Sequence, residues 1–489
     1  MTTSVHGPAE EAAGPQGPPT GPPRSRRALV AGSVGNFIEW YEFGVYGCFA
    51  TVIAATFFTP EGGSEAEALV RTYASFALAF FFRPVGAALF GRLGDRAGRR
   101  PTLILVVLLM TAATTLIGLL PSYAVIGAAA PWLLTLLRIV QGLSAGGEFG
   151  GAVSLMTEFA PPGRRGLYGA WQSFTVALGL LGGVGVAAGL ATVLSEAQLA
   201  AWGWRVPFLL ALPMGLGALW LRLRLEESPS FRRGPAVPDA AGAPGGGPGG
   251  GRGDRRGDGR GDGRGAAAGA AAGGPAVPGV PGAGRVVRAS AGETVRAIVL
   301  GAGRLMGWSA AGYTFLVVLP SYLQSVLDAS FRQALTATVL ANAGFAAAIL
   351  PAGALSDRVG RRAVMVTGAV VAAVTAFPLL DLVQDPAAPT AAKGLAVCAA
   401  GAVVGLMAGP GPAMLAEMFP TGVRYTGLGL AYALSNAVFA GCAGLVITYA
   451  VERTGEADIP AYYVAATCAA SALALAGLRG DGHRRALRD

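Results

Sequence analysis

Two carboxylates lie inside the first long apolar segment of this chain. Glu39 and Glu42 are three residues apart, which places them about 60° apart around a helix of about 3.6 residues per turn. An ionised carboxylate in that setting is costly unless it is paired or lines water, so each residue is a candidate proton carrier. The alternative for either one is a structural ion pair. Both histidines, His6 and His483, lie in polar tails, so any proton transfer within the apolar segments depends on carboxylates.

Arginines supply the opposite charge. Arg83, Arg138 and Arg205 lie in or beside the second, fourth and sixth apolar segments. Arginine keeps its proton, so each side chain needs a carboxylate, a phosphate or a substrate anion. Arg304 lies in the seventh segment, where it could face an anion or extend to the membrane surface. We therefore expect these four residues to contact an anionic substrate, and the alternative is structural pairing.

One ten-residue signature occurs twice, 262 positions apart, and each copy joins two apolar segments. The copies run from Gly91 to Arg100 and from Gly353 to Arg362, and both contain Asp-Arg-x-Gly-Arg-Arg. Glycine permits a tight turn, and the aspartate can meet the positive N-terminal end of a neighbouring helix. The pattern predicts a cytoplasmic gate whose ion pairs form and break, and the alternative is charge that only sets topology. The expected gate residues are Asp95, Arg96, Arg99, Glu158, Asp357, Arg358, Arg361 and Glu417.

The elements that must position these residues are membrane spans. Apolar residues make up 53% of the 489 residues and charged residues 13%, too little charge to cover a soluble surface. A spanning helix needs about 20 mostly apolar residues. The sequence thus predicts an all-α integral membrane protein with twelve transmembrane helices in two six-helix halves. The predicted spans are about 28–57, 69–91, 102–121, 131–158, 167–193, 204–223, 296–323, 333–354, 363–383, 393–415, 426–451 and 459–478.

Loop composition predicts the organisation around the spans. Arginines crowd the tails, the signatures and a Gly/Pro/Ala/Arg-rich linker, which by the positive-inside rule lie in the cytoplasm. We expect both termini to be cytoplasmic, in the plasma membrane of a bacterium. The predicted units are a disordered tail 1–27, the first half 28–233, a low-complexity linker 234–289, the second half 290–478 and a tail 479–489.

Composition also excludes several functions. The net charge of +9 comes from arginines without stacking aromatics among them, which argues against nucleic-acid binding. The four cysteines form no close pair, so we expect no metal site and no cofactor. No histidine cluster, Ser–Lys pair or paired aspartates have suitable spacing, so we expect no enzyme. The expected partners are a small-molecule metabolite, protons and the lipid bilayer, and the expected state is a monomer.

Several segments together resemble the major facilitator superfamily and, within it, its metabolite–proton symporter branch. The resemblance covers about residues 28–233 and 290–478. The segments that carry it are GNFIEWYEFGVYG at 35–47, RPVG at 83–86, RIVQG at 138–142, GGEFGG at 146–151, WRVPF at 204–208 and EESP at 226–229. The resemblance implies a carrier that works by alternating access of one central site to the two sides of the membrane.

The resemblance also assigns roles. The position of Glu42 is usually aspartate in this family, so the acid is retained with a longer reach, and we predict Glu42 as the proton carrier and Glu39 as a contributor. Related carriers pair a fourth-helix arginine with a first-helix acid, which implies a coupling role for Arg138, and Glu148 belongs with this group. Second-half candidates for substrate contact are Trp308, Tyr313, Tyr322, Asn342, Tyr432 and Asn436.

The implied function is proton-coupled import of a small metabolite. Several arginines favour an organic anion such as a dicarboxylate, a tricarboxylate or a shikimate-like acid. The family also includes proline and betaine carriers, so a zwitterion is the alternative. A drug or metabolite exporter working by proton antiport is a second alternative, and a non-transporting nutrient sensor is a third.

Overall fold

The structure, a computed structural model, describes residues 22–59, 63–97, 99–146, 148–158, 160–223 and 291–477. Helices occupy all twelve predicted places within these ranges. The predicted linker 234–289 and C-terminal tail 479–489 lie outside the described residues, as do residues 1–21 of the predicted N-terminal tail. The first helix begins at Pro22, six residues before the predicted start of the first span.

Several spans are built from more than one helical piece. In the first half they are α1 (Pro22–Cys48, Ala50–Ile53 and Ala54–Phe58), α2 (Glu65–Ala97), α3 (Arg99–Leu119), α4 (Ala129–Ala145 and Glu148–Glu158), α5 (Arg165–Val193) and α6 (Glu196–Gln198, Leu199–Gly203 and Arg205–Leu223). A short helix, Tyr123–Ile126, precedes α4. In the second half they are α7 (Ala291–Tyr313, Thr314–Val318 and Leu319–Val326), α8 (Phe331–Val359), α9 (Arg361–Gln384), α10 (Thr390–Ala408 and Gly411–Met418), α11 (Thr421–Ser435, Asn436–Gly441 and Ala443–Thr454) and α12 (Ile459–Ala476).

Length and hydropathy fit a multi-pass membrane protein. In the described part of the chain, eight helices are long and apolar enough to cross a membrane, and ten if α1 and α6 each count as one bent span. The remaining two are α4, whose apolar piece Ala129–Ala145 has 17 residues, and α7, which is divided by a π-helical turn. All-helical spans at every predicted place confirm the predicted fold class.

Four of the described spans contain π-helical turns. They are Ala54–Phe58 in α1, Leu199–Gly203 in α6, Thr314–Val318 in α7 and Asn436–Gly441 in α11. In α1 the helix axis bends by 68° between Ser33–Cys48 and Ala50–Phe58. Such turns shift the helical register and leave carbonyl groups without a helical partner, a feature often found at functional sites. The sequence analysis predicted none of these turns.

Close packing within the first half joins α2 to α4. A β carbon on Gly142 would clash with the carbonyl oxygen of Ala79, and one on Gly86 would clash with that of Leu143. Glycine is therefore required at both positions for the two helices to approach this closely. This α2–α4 contact fixes the position of every side chain that the two helices direct toward the centre of the bundle.

The two halves meet at both ends of the bundle. At the end away from the signatures, Tyr73 and Ser321 share a hydrogen bond of 2.5 Å, and the Thr51 hydroxyl donates to Oε1 of Gln324 at 3.1 Å. At the signature end, backbone N–H groups of α5 donate to the Asp357 carboxylate of α8. The halves are therefore held together at both ends of the bundle in this conformation.

Candidate functional site

A narrow pocket of about 10 Å³, with room for about one water molecule, lies between the two halves near the middle of the bundle. The first half contributes Asn36, Glu39, Trp40, Arg83, Ala145, Gly146 and Phe149, and the second half contributes Gly429, Tyr432 and Ala433. One carboxylate, one guanidinium and several aromatic faces thus surround one space. This combination of charge and aromatic surface suits a small charged molecule, but the space in this conformation is too small to hold one.

Glu39 and Arg83 form a buried ion pair at this pocket. Arg83 Nη2 lies 3.0 Å from Glu39 Oε1, and both residues are buried. The Arg83 guanidinium also lies over the rings of Phe80 and Phe43, at 4.2 and 4.8 Å from their centroids. Aromatic faces stabilise a desolvated cation, so Arg83 keeps electrostatic support even when its contact with Glu39 changes.

Glu42 and Arg138 do not touch directly; Gln141 lies between them. Arg138 Nη1 donates to Gln141 Oε1 at 2.5 Å, and Gln141 Nε2 donates to Glu42 Oε2 at 3.3 Å. The same Gln141 amide nitrogen donates to the Thr114 hydroxyl at 2.6 Å. Because arginine can only donate, it holds the amide oxygen and directs the amide nitrogen toward the carboxylate.

Burial makes this group sensitive to charge. Arg138, Gln141 and Thr114 are fully buried, and Glu42 is 1% exposed. Glu42 Oε1 has no hydrogen-bond partner among the described residues, and neither do Nε and Nη2 of Arg138. The Arg138 guanidinium lies 3.7 Å from the ring centroid of Tyr46. A carboxylate held by one amide, without a direct ion pair, can exchange a proton at lower cost than one locked to a guanidinium.

The second half supplies mainly aromatic surface to the centre. Tyr432 stacks on Phe149 of the first half, with ring centroids 3.5 Å apart and planes 5° apart. Trp308 lies next to Tyr432, with centroids 5.9 Å apart. Tyr313 meets Trp40 of the first half edge-on, at 6.0 Å. Tyr432 and Tyr313 therefore lie against the first half, whereas Trp308 packs on Tyr432 of its own half.

The two amide candidates of the second half support helices. The Asn342 amide donates to the carbonyl oxygens of Thr338, at 2.9 Å, and of Leu316 in the π-helical turn of α7, at 3.3 Å. The Asn436 amide donates to the Tyr432 carbonyl at 2.9 Å. Neither residue lines the pocket. Their predicted role in binding stays a prediction, and their contacts instead stabilise the broken helices α7 and α11.

Arg205 and Arg304 lie away from the pocket lining. Arg205 Nη1 donates to the carbonyl oxygens of Gly118 and Leu120 at the end of α3, at 2.9 and 2.8 Å. Arg304 donates to the carbonyl of Ala474, at 3.4 Å, and to Sδ of Met418, at 3.3 Å. Unpaired carbonyls at a helix end attract a cation, and this accounts for Arg205 without a substrate.

The second signature connects the halves at one end of the bundle. Asp357 of α8 accepts from the backbone N–H groups of Gly166 and Leu167, at 2.8 and 2.9 Å. These groups belong to the first turn of α5, where the helix dipole favours an anion. Arg361 Nη1 lies 2.7 Å from Asp357 Oδ1, and its Nη2 lies 3.2 Å from Glu417 Oε1. One aspartate therefore bonds to the first half and to an arginine of its own half.

Some gate and coupling candidates have no described side-chain environment. The side chains of Asp95, Arg96, Arg99, Glu148 and Glu158 lie outside the described part of the structure. Arg358 is described and exposed. The first signature therefore stays a prediction, whereas the second has a defined set of contacts.

The sequence analysis missed several residues at the centre. Gln141 and Thr114 link Glu42 to Arg138, and Asn36 and Phe149 line the pocket. Gln141 and Phe149 lie within the RIVQG and GGEFGG segments, so their position in these motifs was a usable signal. Neither Gln141 nor Phe149 stands out by residue type, because an amide or a phenyl ring in a membrane helix usually only packs. Among the described residues, no group of three His, Cys, Asp or Glu side chains could hold a metal ion.

Comparisons with known proteins agree with this architecture. The family model described as "Sugar (and other) transporter" matches residues 28–234, and the model described as "Major Facilitator Superfamily" matches residues 297–487. The chain is 33% identical to the glycine betaine/proline/ectoine/pipecolic acid transporter of Dickeya dadantii, over 90% of this chain and 80% of that one. It is 34% identical to the alpha-ketoglutarate permease of Escherichia coli, over 86% of each chain.

A solved structure shares the fold. The crystal structure of a D-xylose–proton symporter superposes with a TM-score of 0.69 at 18% identity, over 94% of this chain and 98% of that one. An identity this low supports the fold and nothing finer. Together with relatives that are more than 30% identical over most of their length, the twelve spans and the paired signatures show that this chain belongs to the major facilitator superfamily of multi-pass membrane transporters.

Proposed function

We propose that the protein imports a small carboxylate-bearing metabolite together with protons, by alternating access of the pocket between its halves. The observation that carries this proposal is the set of two buried carboxylates and two buried arginines in the first half. Glu39 lines the pocket. Glu42 is not among the lining residues, and its carboxylate accepts a hydrogen bond from Gln141. Buried acids of this kind in a membrane bundle are characteristic of proton pathways.

The pocket favours a zwitterion. Of the four arginines predicted to bind an anion, only Arg83 lines the pocket, and Glu39 already neutralises it. A substrate with one carboxylate and one cationic nitrogen can exchange partners with this ion pair without adding net charge. The faces of Trp40 and Tyr432 suit an ammonium group. The resemblance to transporters named for glycine betaine, proline and ectoine supports this class.

An organic anion is the second candidate. Arg138 has no carboxylate within ion-pair distance among the described residues, so the first half keeps positive charge that an anion could balance. The resemblance to an alpha-ketoglutarate permease supports the same class. The two candidates differ in how transport responds to voltage, because one net charge crossing about 100 mV is worth roughly 2.3 kcal/mol.

The test is uptake by purified protein in proteoliposomes, with the pH gradient and the voltage imposed separately. Labelled proline, glycine betaine and alpha-ketoglutarate are compared, with D-xylose as the control. A zwitterion carried with one proton should accumulate faster with either gradient. A dicarboxylate carried with two protons should respond to the pH gradient alone. If no carboxylate accumulates, or if the pH gradient drives substrate outward, import by symport is wrong.

The same proposal includes membrane placement. We place the protein in the plasma membrane of a bacterium with both signatures and both termini in the cytoplasm, because the arginine-rich loops lie on one side of twelve spans. Labelling of single cysteines introduced beside Arg358 and at Glu196 with a membrane-impermeant maleimide would test it. Labelling of intact cells at Arg358 but not at Glu196 would reverse the orientation.

A further inference from the structure

Helices α5 and α8 meet across the two halves, and each is a single α-helix of 29 residues without a break. They are antiparallel, because Asp357 near the end of α8 contacts the start of α5, and Arg332 near the start of α8 contacts the end of α5. Arg332 and Asp357 are 25 positions apart, as are Gly166 and Ala191 on α5. At a rise of 1.5 Å per residue both spacings are about 38 Å. Helix α8 therefore brings one charged side chain to each end of α5.

Arg332 makes the contact at the end of the bundle away from the signatures. Its Nε donates to the carbonyl oxygen of Ala191 at 2.7 Å, and its Nη2 donates to that of Thr192 at 3.5 Å. Carbonyls in the last turn of a helix have no partner within the helix. The N–H of Ser195, which would reach Ala191 in a longer helix, donates instead to Oε1 of Gln198 at 3.0 Å. Ala191 is buried, so Arg332 supplies the partner that this carbonyl lacks in its own helix.

Asp357 makes the matching contact at the signature end, where its carboxylate accepts from the N–H groups of Gly166 and Leu167. The backbone of α5 carries partial positive charge at its first turn and partial negative charge at its last turn, so an anion is favourable at one end and a cation at the other. The two charges on α8 thus have the signs that the two ends of α5 require. A β carbon on Gly353 would lie 2.7 Å from the Gly166 carbonyl oxygen, so the two backbones also approach closely at this end.

We propose that Arg332 is a gate residue, and that it closes the end of the bundle away from the signatures by capping α5, as Asp357 does at the signature end. The other hydrogen bonds between the halves described above for this end join neutral side chains. Arg332 adds a charged contact to them. Its part in a transport cycle rests on the proposed function, whereas its effect on which end opens does not.

The geometry gives each gate a direction. Transporters of this architecture move largely by rocking one half against the other, and two unbroken helices held at both ends can release one end while the other stays closed. Removing Arg332 favours the state that is open away from the signatures. Removing the Asp357 charge favours the state that is open at the signature end. The two residues therefore act on one equilibrium in opposite directions.

Hydrogen–deuterium exchange of the purified protein measures the opening of each end. Arg332→Met removes the charge and the donors and keeps an unbranched side chain. Exchange in residues 314–326 of α7, at the same end as Arg332, should rise by about threefold to tenfold, the range for one charge at a helix terminus, because exchange through an open state follows the population of that state. Exchange in residues 411–418 of α10, at the signature end, should fall. Asp357→Asn should lower exchange in residues 314–326.

The fall at the opposite end separates a gate from a local contact, since loosening of one helix end cannot produce it. Arg332→Lys keeps a cation that can donate to the same carbonyls, and exchange should stay within about twofold of that in the unmodified protein. The matched control is Arg71→Met, at an exposed arginine two residues before Tyr73 at the same end, which should change neither segment. Faster exchange confined to residues 188–195, equal changes at both ends, or no change in residues 314–326 would overturn the proposal.

Uptake by the same proteins in proteoliposomes distinguishes failure of the gate from failure of the proposed function. Arg332→Met should slow accumulation by about threefold to tenfold, because the cycle spends more time open at one end, and Arg332→Lys should restore it. If the unmodified protein accumulates no substrate but the two variants shift exchange in opposite directions, the proposed function fails and the gate stands. If uptake is proton-driven but the opposite shifts are absent, the gate is wrong and the proposed function stands.

Discussion

The two halves of the bundle keep their buried charges in different places. The first half holds Glu39, Glu42, Arg83 and Arg138 near the middle, around and behind the pocket. In the second half the buried arginines Arg304, Arg361 and Arg424 all contact residues 416–419 at the end of α10, and aromatic and amide side chains lie nearer the pocket. The difference indicates a division of labour within one repeated fold. The proposed proton chemistry depends on charges of the first half, while the second half contributes aromatic surface to the pocket and the contacts of the second signature.

The largest effect should come from removing the acid behind the pocket. Glu42→Gln fixes a neutral side chain at this site, so the site can no longer signal proton release. Proton-driven accumulation should fall by about 100-fold or more, as for the loss of a proton-transfer group, while exchange of labelled for unlabelled substrate persists. The control is Glu67→Gln, an exposed acid paired with Arg71. Accumulation at the unmodified rate in Glu42→Gln would remove this residue from coupling.

The amide between Glu42 and Arg138 should come next. Gln141→Leu removes the bonds to both charged groups and leaves them buried without this partner. Each such bond to a charged group is worth about 1.5 to 3 kcal/mol, so we expect accumulation to fall roughly tenfold to 100-fold. Gln198→Leu, at an exposed helix cap, is the control. A normal accumulation rate in a Gln141→Leu protein of unchanged thermal stability would refute the bridging role.

A smaller, kinetic effect should follow from the gate. Asp357→Asn removes the charge that holds the first turn of α5 and pairs with Arg361. We expect turnover to change by about tenfold with substrate affinity within about twofold, because one charge at a helix terminus is worth roughly 1 to 2 kcal/mol. The matched control is Asp385→Asn, because Asp385 is an exposed aspartate outside the signatures that also accepts a hydrogen bond from a backbone N–H. A large loss of affinity at unchanged turnover would place Asp357 in binding instead of in gating.

The last prediction compares two arginines, of which Arg304 should show the smallest effect of all. Arg83→Gln should weaken substrate binding by about tenfold or more, because it removes the only arginine among the described pocket residues and leaves Glu39 without this partner. Arg304→Gln should change binding by less than about threefold, since Arg304 contacts a carbonyl and a sulfur. Equilibrium binding by calorimetry compares them directly. Equal losses of substrate affinity in the two variants would show that Arg304 also contributes to the substrate site, contrary to the proposed difference between the halves.

Much of the fold could be predicted because long apolar runs in a membrane chain have few alternatives to spanning helices. The interruptions could not be predicted. The π-helical turn Thr314–Val318 shifts the register of α7 where the Asn342 amide reaches the Leu316 carbonyl. That contact depends on how α7 and α8 pack. No local pattern in the α7 sequence encodes the position of α8.

The sequence identifies the charged residues of the candidate site but not the contacts that these residues make. Rare charged residues stand out in apolar segments, so Glu39, Glu42 and Arg83 were found. Their pairing was left open because two acids and several arginines allow many combinations. Arg205 donates to a carbonyl oxygen at the end of α3. The types of side chain in the sequence do not reveal this contact. Gln141 was missed because a neutral amide gives no signal until the charges on either side of it are located.

The glycine contact between α2 and α4 has a consequence for how this transporter can diversify. Gly86 and Gly142 bring the two helices backbone to backbone, so the positions of Arg83 and Arg138 depend on one shared contact. Mutations that enlarge either glycine would disturb both arginines at once. Tyr432 and Ala433 line the pocket from the second half, and they take no part in this glycine contact. Substitutions at these two positions can therefore reshape the pocket without disturbing the packing that holds the two arginines.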